Sequence, residues 1–364
     1  MASEPASRIA PLRKRALASE SPLPTLAWLG SVPPDVLGLT LACVGFVAVG
    51  IWLSRLTGAP FVVPAGRSPA LGTHFALPLT AAIAGYAALQ FGARAMSTNG
   101  VGETSWGRRA LIDAYLLGLF VVIVYVHLHI KMWVPLLNPR TYDVPYFAVD
   151  RHFGPLIQAM RSLRHGIALV LPRADVWYEL GFFSMFSLCF WFHAAGQRRW
   201  HYHNVAGLCV TELVGGLSYL VAPAVGPFIF QRGDNPMATA GQLRMYEQFQ
   251  ALRAHGAPWL QAHGSAYFTA PLAAMPSLHL AAAFVMAYYA WRAQLAIAPL
   301  AVAIVGWISI ESVVSRWHYL VDLPAGLVVA AVAIAVANRL CRRRLADPAL
   351  DLACDLAGAE HLSA

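Results

Sequence analysis

His318 and Asp322 stand four residues apart in the run Ser-Arg-Trp-His-Tyr-Leu-Val-Asp from Ser315 to Asp322. On a helix that spacing brings both side chains to one face. A carboxylate on one imidazole nitrogen fixes the tautomer and raises the basicity of the other. Such a pair suits His318 to nucleophilic attack on phosphorus, with Asp322 steadying the positive charge that develops. A His–Asp pair that merely ties off a helix end has the same signature, and the pair alone leaves both readings open.

A second polar cluster, Pro276-Ser277-Leu278-His279, opens an apolar run. Pro and Ser are ordinary residues at a helix start. A helix N-terminus with free N–H groups and a serine hydroxyl is also a place for an anion. His279, just inside, could then protonate a leaving oxygen. Arg316, two residues before His318, offers either a fork for phosphate oxygens or a snorkelling interfacial cation. The run from Ser218 to Pro227 contains Tyr219, Pro223, Gly226 and Pro227. There the glycine would let backbone approach a ligand, and the prolines would end a helix in any case.

These residues must be positioned by a greasy scaffold. Of the 364 residues, 58% are hydrophobic and 12% charged, against about 25% charged in soluble domains. Mean hydropathy is +0.55. The expected fold is therefore all-α, a polytopic transmembrane helix bundle. About eight runs are near the length a span requires, at roughly 35–54, 74–93, 111–130, 176–195, 205–224, 278–296, 297–314 and 319–338. The formal charge of +8 comes mostly from arginine, since Lys14 and Lys131 are the only lysines. In such a chain it reports topology and lipid head groups, not nucleic acid. The five cysteines show no metal or disulfide spacing.

Arginine placement favours both tails inside. That puts the exit of the fifth run and the entries of the sixth and eighth on the outer side. Residues 1–34 and 339–364 read as cytoplasmic tails, the first disordered, and 35–204 as N-terminal helices. In loop 131–175, Asp143, Asp150 and Arg151 among aromatics fit either an interfacial segment or a solvated helix. Loop 225–277 has a polar, amphipathic middle from Gly241 to His255 that could act as a lid. His127 and His129 diverge at their spacing on a helix, which speaks against a metal site. Glu311 reads as a second layer behind His318 or as a buried neutral carboxyl. His201 and His203 fall in a short inner loop and look incidental.

Taken together, Pro276-Ser277-Leu278-His279 and His318-x-x-x-Asp322 with Ala325-Gly326 resemble the type 2 phosphatidic acid phosphatase (PAP2) superfamily over about residues 205–338. The resemblance implies a helix-bundle catalytic core in the C-terminal half, with His318 as the nucleophile forming a phosphohistidine. It makes Asp322 the orienting partner and His279 the general acid. Ser277, Arg316, Tyr219, Gly226 and Pro227 are the expected substrate contacts. Leu278 replaces the motif glycine, Glu311-Ser312 stands where the family has Ser-Arg, and the first motif's Lys and Arg-Pro are absent. Pro-Ser-x-His and His-Tyr-x-x-Asp resemble the branch of inositol phosphorylceramide synthases, which are inositolphosphotransferases.

Two functional readings follow. One is a membrane phosphatase or phosphotransferase on a lipid phosphate, without cofactor or metal, facing the outer side of a bacterial plasma membrane. The other is a non-catalytic carrier or lipid-binding scaffold with a degenerate site. The first requires the two imidazoles to lie within about 8 Å, close enough to share one phosphate at hydrogen-bond distances.

Overall fold

The computed structural model describes residues 33–65, 80, 83–88, 103–171, 173–195, 198–268 and 274–342. Among these every regular element is helical. Of the run expected at 74–93 only residues 80 and 83–88 are described, and these are helical; both expected tails lie almost wholly outside the described residues.

Three helices are long and apolar enough to cross a membrane: α1 (Pro34–Thr57), the Arg109–Leu137 part of α2 (Glu103–Leu137), and α10 (Asp322–Leu340). The termini of α1 are written in its sequence. Pro34 opens it and Asp35 faces the positive end of the helix dipole. Arg55 lies in the last turn, and Gly58 closes the helix at φ +65°. Large side chains such as Leu41, Val44, Trp52 and Leu56 on α1 and Leu111 on α2 are more than 60% exposed. Apolar surface on this scale suits contact with lipid.

Between α2 and the C-terminal helices come α3 (Asp143–His152), α4 (Gly154–Val170), α5 (Trp177–Ala195) and α6 (Arg198–Ser218). Then follow α7 (Pro236–Tyr267), α8 (Leu278–Arg292) and α9 (Ala298–Val314). Helix α8 has 15 residues, hence a length of about 22 Å at ~1.5 Å per residue, short of a ~30 Å hydrocarbon core. The loop expected over 131–175 is mostly helix: α2 runs on to Leu137, and α3 and α4 follow. Helix α4 packs along α9. The expected lid segment from Gly241 to His255 is part of α7, which kinks at Gly256 (φ 66°, ψ −154°) before Pro258.

Helices α6, α8 and α10 pack on one another at the centre. Their contacts run through small residues, which let helix backbones approach closely. On α8, Ala281, Ala282 and Ala283 are fully buried, as are Ala330, Ala333 and Ala337 on α10. A Cβ on Gly207 of α6 would lie 2.8 Å from Val285 and 3.1 Å from Tyr289. Helix α6 begins earlier than the run expected from 205, so His201 and His203 are not in a loop. Both are fully buried, and His201 Nε2 lies 3.5 Å from Asp113 of α2. Asp113 also takes two bonds from Arg198, at 2.8 and 3.0 Å. An ion pair at this depth needs such multiple bonding to offset its desolvation.

Candidate active site

The first half of the site is the turn joining α9 to α10. Trp317 N and His318 N both donate to Ser312 O at 3.0 Å, and Arg316 takes the left-handed conformation at φ +64°. His318 therefore precedes the helix, and Asp322 is its first residue. The contact expected from one helical turn is made by a tight loop instead. Asp322 Oδ2 accepts from Tyr319 N at 2.8 Å and lies 3.2 Å from His318 Nδ1. A carboxylate in this position favours the tautomer with the proton on Nδ1 and the lone pair on Nε2. Asp322 is fully buried and His318 is 6% exposed.

The second half is the start of α8, which rests on the first turn of α10. Ser277 N donates to Asp322 O at 3.1 Å, and a Cβ on Gly326 would lie 2.4 Å from Ser277 O. Only glycine permits that approach. Ser277 occupies the cap position without capping. Its hydroxyl is buried and has no hydrogen-bond partner. The His279 and His318 rings are 6.4 Å apart between centroids, at 67°. His279 is also framed by Phe182 at 4.6 Å and Tyr178 at 5.5 Å. Leu278, where the motif carries glycine, fits against Gly215 of α6: a Cβ there would lie 2.4 Å from Leu278 Cδ1. The larger side chain is thus matched by a glycine on the facing helix.

Two carboxylates that sequence reasoning did not single out as site residues hold the site's loops. Asp143 and Asp150 lie seven residues apart on α3, both buried. Asp143 Oδ1 accepts from Val225 N and Gly226 N at 2.9 Å and from Tyr319 Oη at 2.7 Å. Asp150 accepts from Leu320 N at 2.8 Å and from Arg316 Nη1 at 3.3 Å. Burial pushes the Asp150 carboxyl above its usual range, opposed by the Leu320 N–H and the Arg316 charge. Their two-turn spacing on one helix face was the available signal.

The expected substrate contacts therefore divide. Arg316 is 5% exposed and engaged with Asp150 and with Gln231, the latter at 2.6 Å. Gly226 (φ 136°) and Pro227 belong to the segment fastened by Asp143, and a Cβ on Gly226 would lie 3.2 Å from Trp317 O. Tyr219, 1% exposed, faces His127 at 5.8 Å between ring centroids. Glu311 is fully buried and accepts from Arg164 Nε at 3.1 Å and Asn235 Nδ2 at 2.8 Å. His127 turns toward α6, with Nδ1 3.4 Å from Glu212 Oε2. His129 turns the other way and accepts from Val62 N at 2.9 Å. Among the described residues no group of three or more His, Cys, Asp or Glu side chains is placed to hold a metal ion.

The arrangement brings together an imidazole with a buried carboxylate behind it, a second imidazole 6.4 Å away between ring centroids, and an unpartnered hydroxyl. Among protein families, the one described as the PAP2 superfamily matches residues 149–336. No curated protein and no solved structure matches the chain.

Proposed function

Because the chain belongs to the PAP2 superfamily, we propose that it is an integral membrane enzyme that cleaves a phosphate ester of a lipid through an adduct on His318. The observation that carries this reading is the His279–His318 separation of 6.4 Å with Asp322 behind His318. A non-catalytic scaffold has no use for two imidazoles spaced for one phosphate.

His318 Nε2 attacks the phosphorus while the bond from phosphorus to the lipid oxygen breaks. A P–N bond forms, and its electron pair comes from the imidazole. The bonding pair leaves with the lipid oxygen, which takes a proton from His279. Asp322 offsets the positive charge on the phosphorylated ring. In the second step water, deprotonated by His279, attacks phosphorus and releases His318. An alcohol acceptor in the same position would make the enzyme a transferase. The Pro-Ser-x-His and His-Tyr-x-x-Asp patterns favour that variant, of the inositolphosphotransferase kind, for this chain.

The full reading has eight spans, both tails inside, and the site on the extracytoplasmic face. Exposed apolar side chains on α1, α2, α9 and α10 support its membrane setting. The experiment is phosphate release and head-group transfer across a panel of phosphatidic acid, phosphatidylinositol and an alcohol acceptor. His318→Ala is expected to abolish turnover and acid-labile labelling of the protein by radioactive phosphate. Unchanged turnover in that variant would sink the mechanism. A membrane-impermeant histidine reagent should inactivate the enzyme in intact cells, and inactivation confined to inverted vesicles would reverse the orientation.

A further inference from the structure

Helix α2 lies upstream of the segment that matches the family, yet it delivers a cation to the site. Lys131 is one of only two lysines in the chain. Its Nζ stands 5.0 Å from the ring centroid of Tyr219, a separation at which a cation is drawn to the ring. Among the described residues it forms no ion pair; Glu212, whose charge it feels, is turned toward His127.

Tyr178, at the start of α5, supplies an independent observation. It is 5% exposed, its ring packs 5.5 Å from His279, and its hydroxyl is buried without a hydrogen-bond partner. Tyr219, one turn beyond Gly215, is placed near the same spot, because Gly215 packs on Leu278, the residue before His279. A half-buried ammonium held only over a ring and a buried hydroxyl without an acceptor are each unfavourable. One anion bound between them would satisfy both. Ser277 Oγ, likewise buried and unpartnered, lies two residues before His279.

We propose that Lys131 of α2 and Tyr178 of α5 bind the phosphate group that is presented to His318, in place of the first-motif cations this chain lacks. The proposal rests on the function proposed above. It also ties the N-terminal helices to the chemistry, since Lys131 lies outside the segment that matches the family.

The test uses the purified full chain in detergent, with inorganic phosphate as the probe and binding measured by calorimetry. Lys131→Met is expected to weaken phosphate binding about 10- to 100-fold, the scale of a lost charge-assisted hydrogen bond. Lys131→Arg should recover most of that loss, and Tyr178→Phe should weaken binding about 3- to 10-fold. A measurement free of folding defects uses the unsubstituted chain. With only two lysines, acylation by an amine reagent can be read at Lys131 by mass spectrometry, and phosphate should protect Lys131 but not Lys14. If the unsubstituted chain turns over lipid phosphate but phosphate protects neither lysine, and Lys131→Met binds it unchanged, this inference is overturned and the proposed function stands. Lys131-dependent binding without turnover of any ester would leave the inference and overturn the function. Absence of both binding and turnover would overturn both.

Discussion

Asp322 Oδ2 lies 3.2 Å from His318 Nδ1. The same oxygen accepts the Tyr319 N–H, so one carboxylate shapes the turn and orients the imidazole. Asp322→Asn keeps an acceptor for Tyr319 but removes the charge and permits the wrong tautomer. We expect thermal stability close to that of the unsubstituted chain and phosphate release reduced about 10²- to 10⁴-fold. Steady-state kinetics with a short-chain phosphatidic acid would check both; a loss of less than tenfold would argue against the pair's role.

Asp143 gathers three donors from two loops. Asp143→Ala leaves the N–H groups of Val225 and Gly226 and the Tyr319 hydroxyl without their acceptor. The expected loss is about 3 kcal/mol or more, against about 1 kcal/mol for Tyr319→Phe. Unfolding in detergent would measure each, and the double variant should fall short of the sum because the two residues share a bond.

Gly326→Ala places a methyl group 2.4 Å from Ser277 O. Backbone cannot yield as a flexible side chain does, so α10 must shift from the start of α8. We expect a loss of about 1–3 kcal/mol together with a reduced kcat. Stability and kcat both unchanged would show that the helix start moves freely.

Arg316 is held by Asp150 at 3.3 Å and Gln231 at 2.6 Å. Arg316→Ala strands a buried carboxylate, with an expected loss of about 3–5 kcal/mol. Adding Asp150→Asn should recover part of it. If the double variant is as unstable as the sum of the singles, the ion pair is not what holds this turn.

Sequence patterns singled out the residues that gather at the candidate site better than they gave its geometry. His318 and Asp322 were legible because ionisable residues in an apolar chain are few, but the helical reason for their contact was wrong. A turn starting at Arg316 performs the task, and positive φ at an arginine leaves no sequence signal. His279 was legible from its place at the start of an apolar run. Tyr178 was not, since its packing on His279 joins two different helices and arises only from the tertiary fold. Asp143 and Asp150 stood in plain view in a segment read as interfacial. Their role depends on two loops far along the chain, which no local pattern can reveal. Most helices were anticipated from apolar runs, whereas ends such as that of α6 shifted by several residues because buried His201 and Asp113 extend the bundle beyond the apolar stretch.

The contact between Gly326 and Ser277 has a consequence for biogenesis. His279 and His318 sit on separate stretches of chain, and their rings come to face each other only when the first turn of α10 has docked on the start of α8. A nascent chain arrested before that docking would hold His318 and Asp322 paired in their own turn, with no second imidazole opposite.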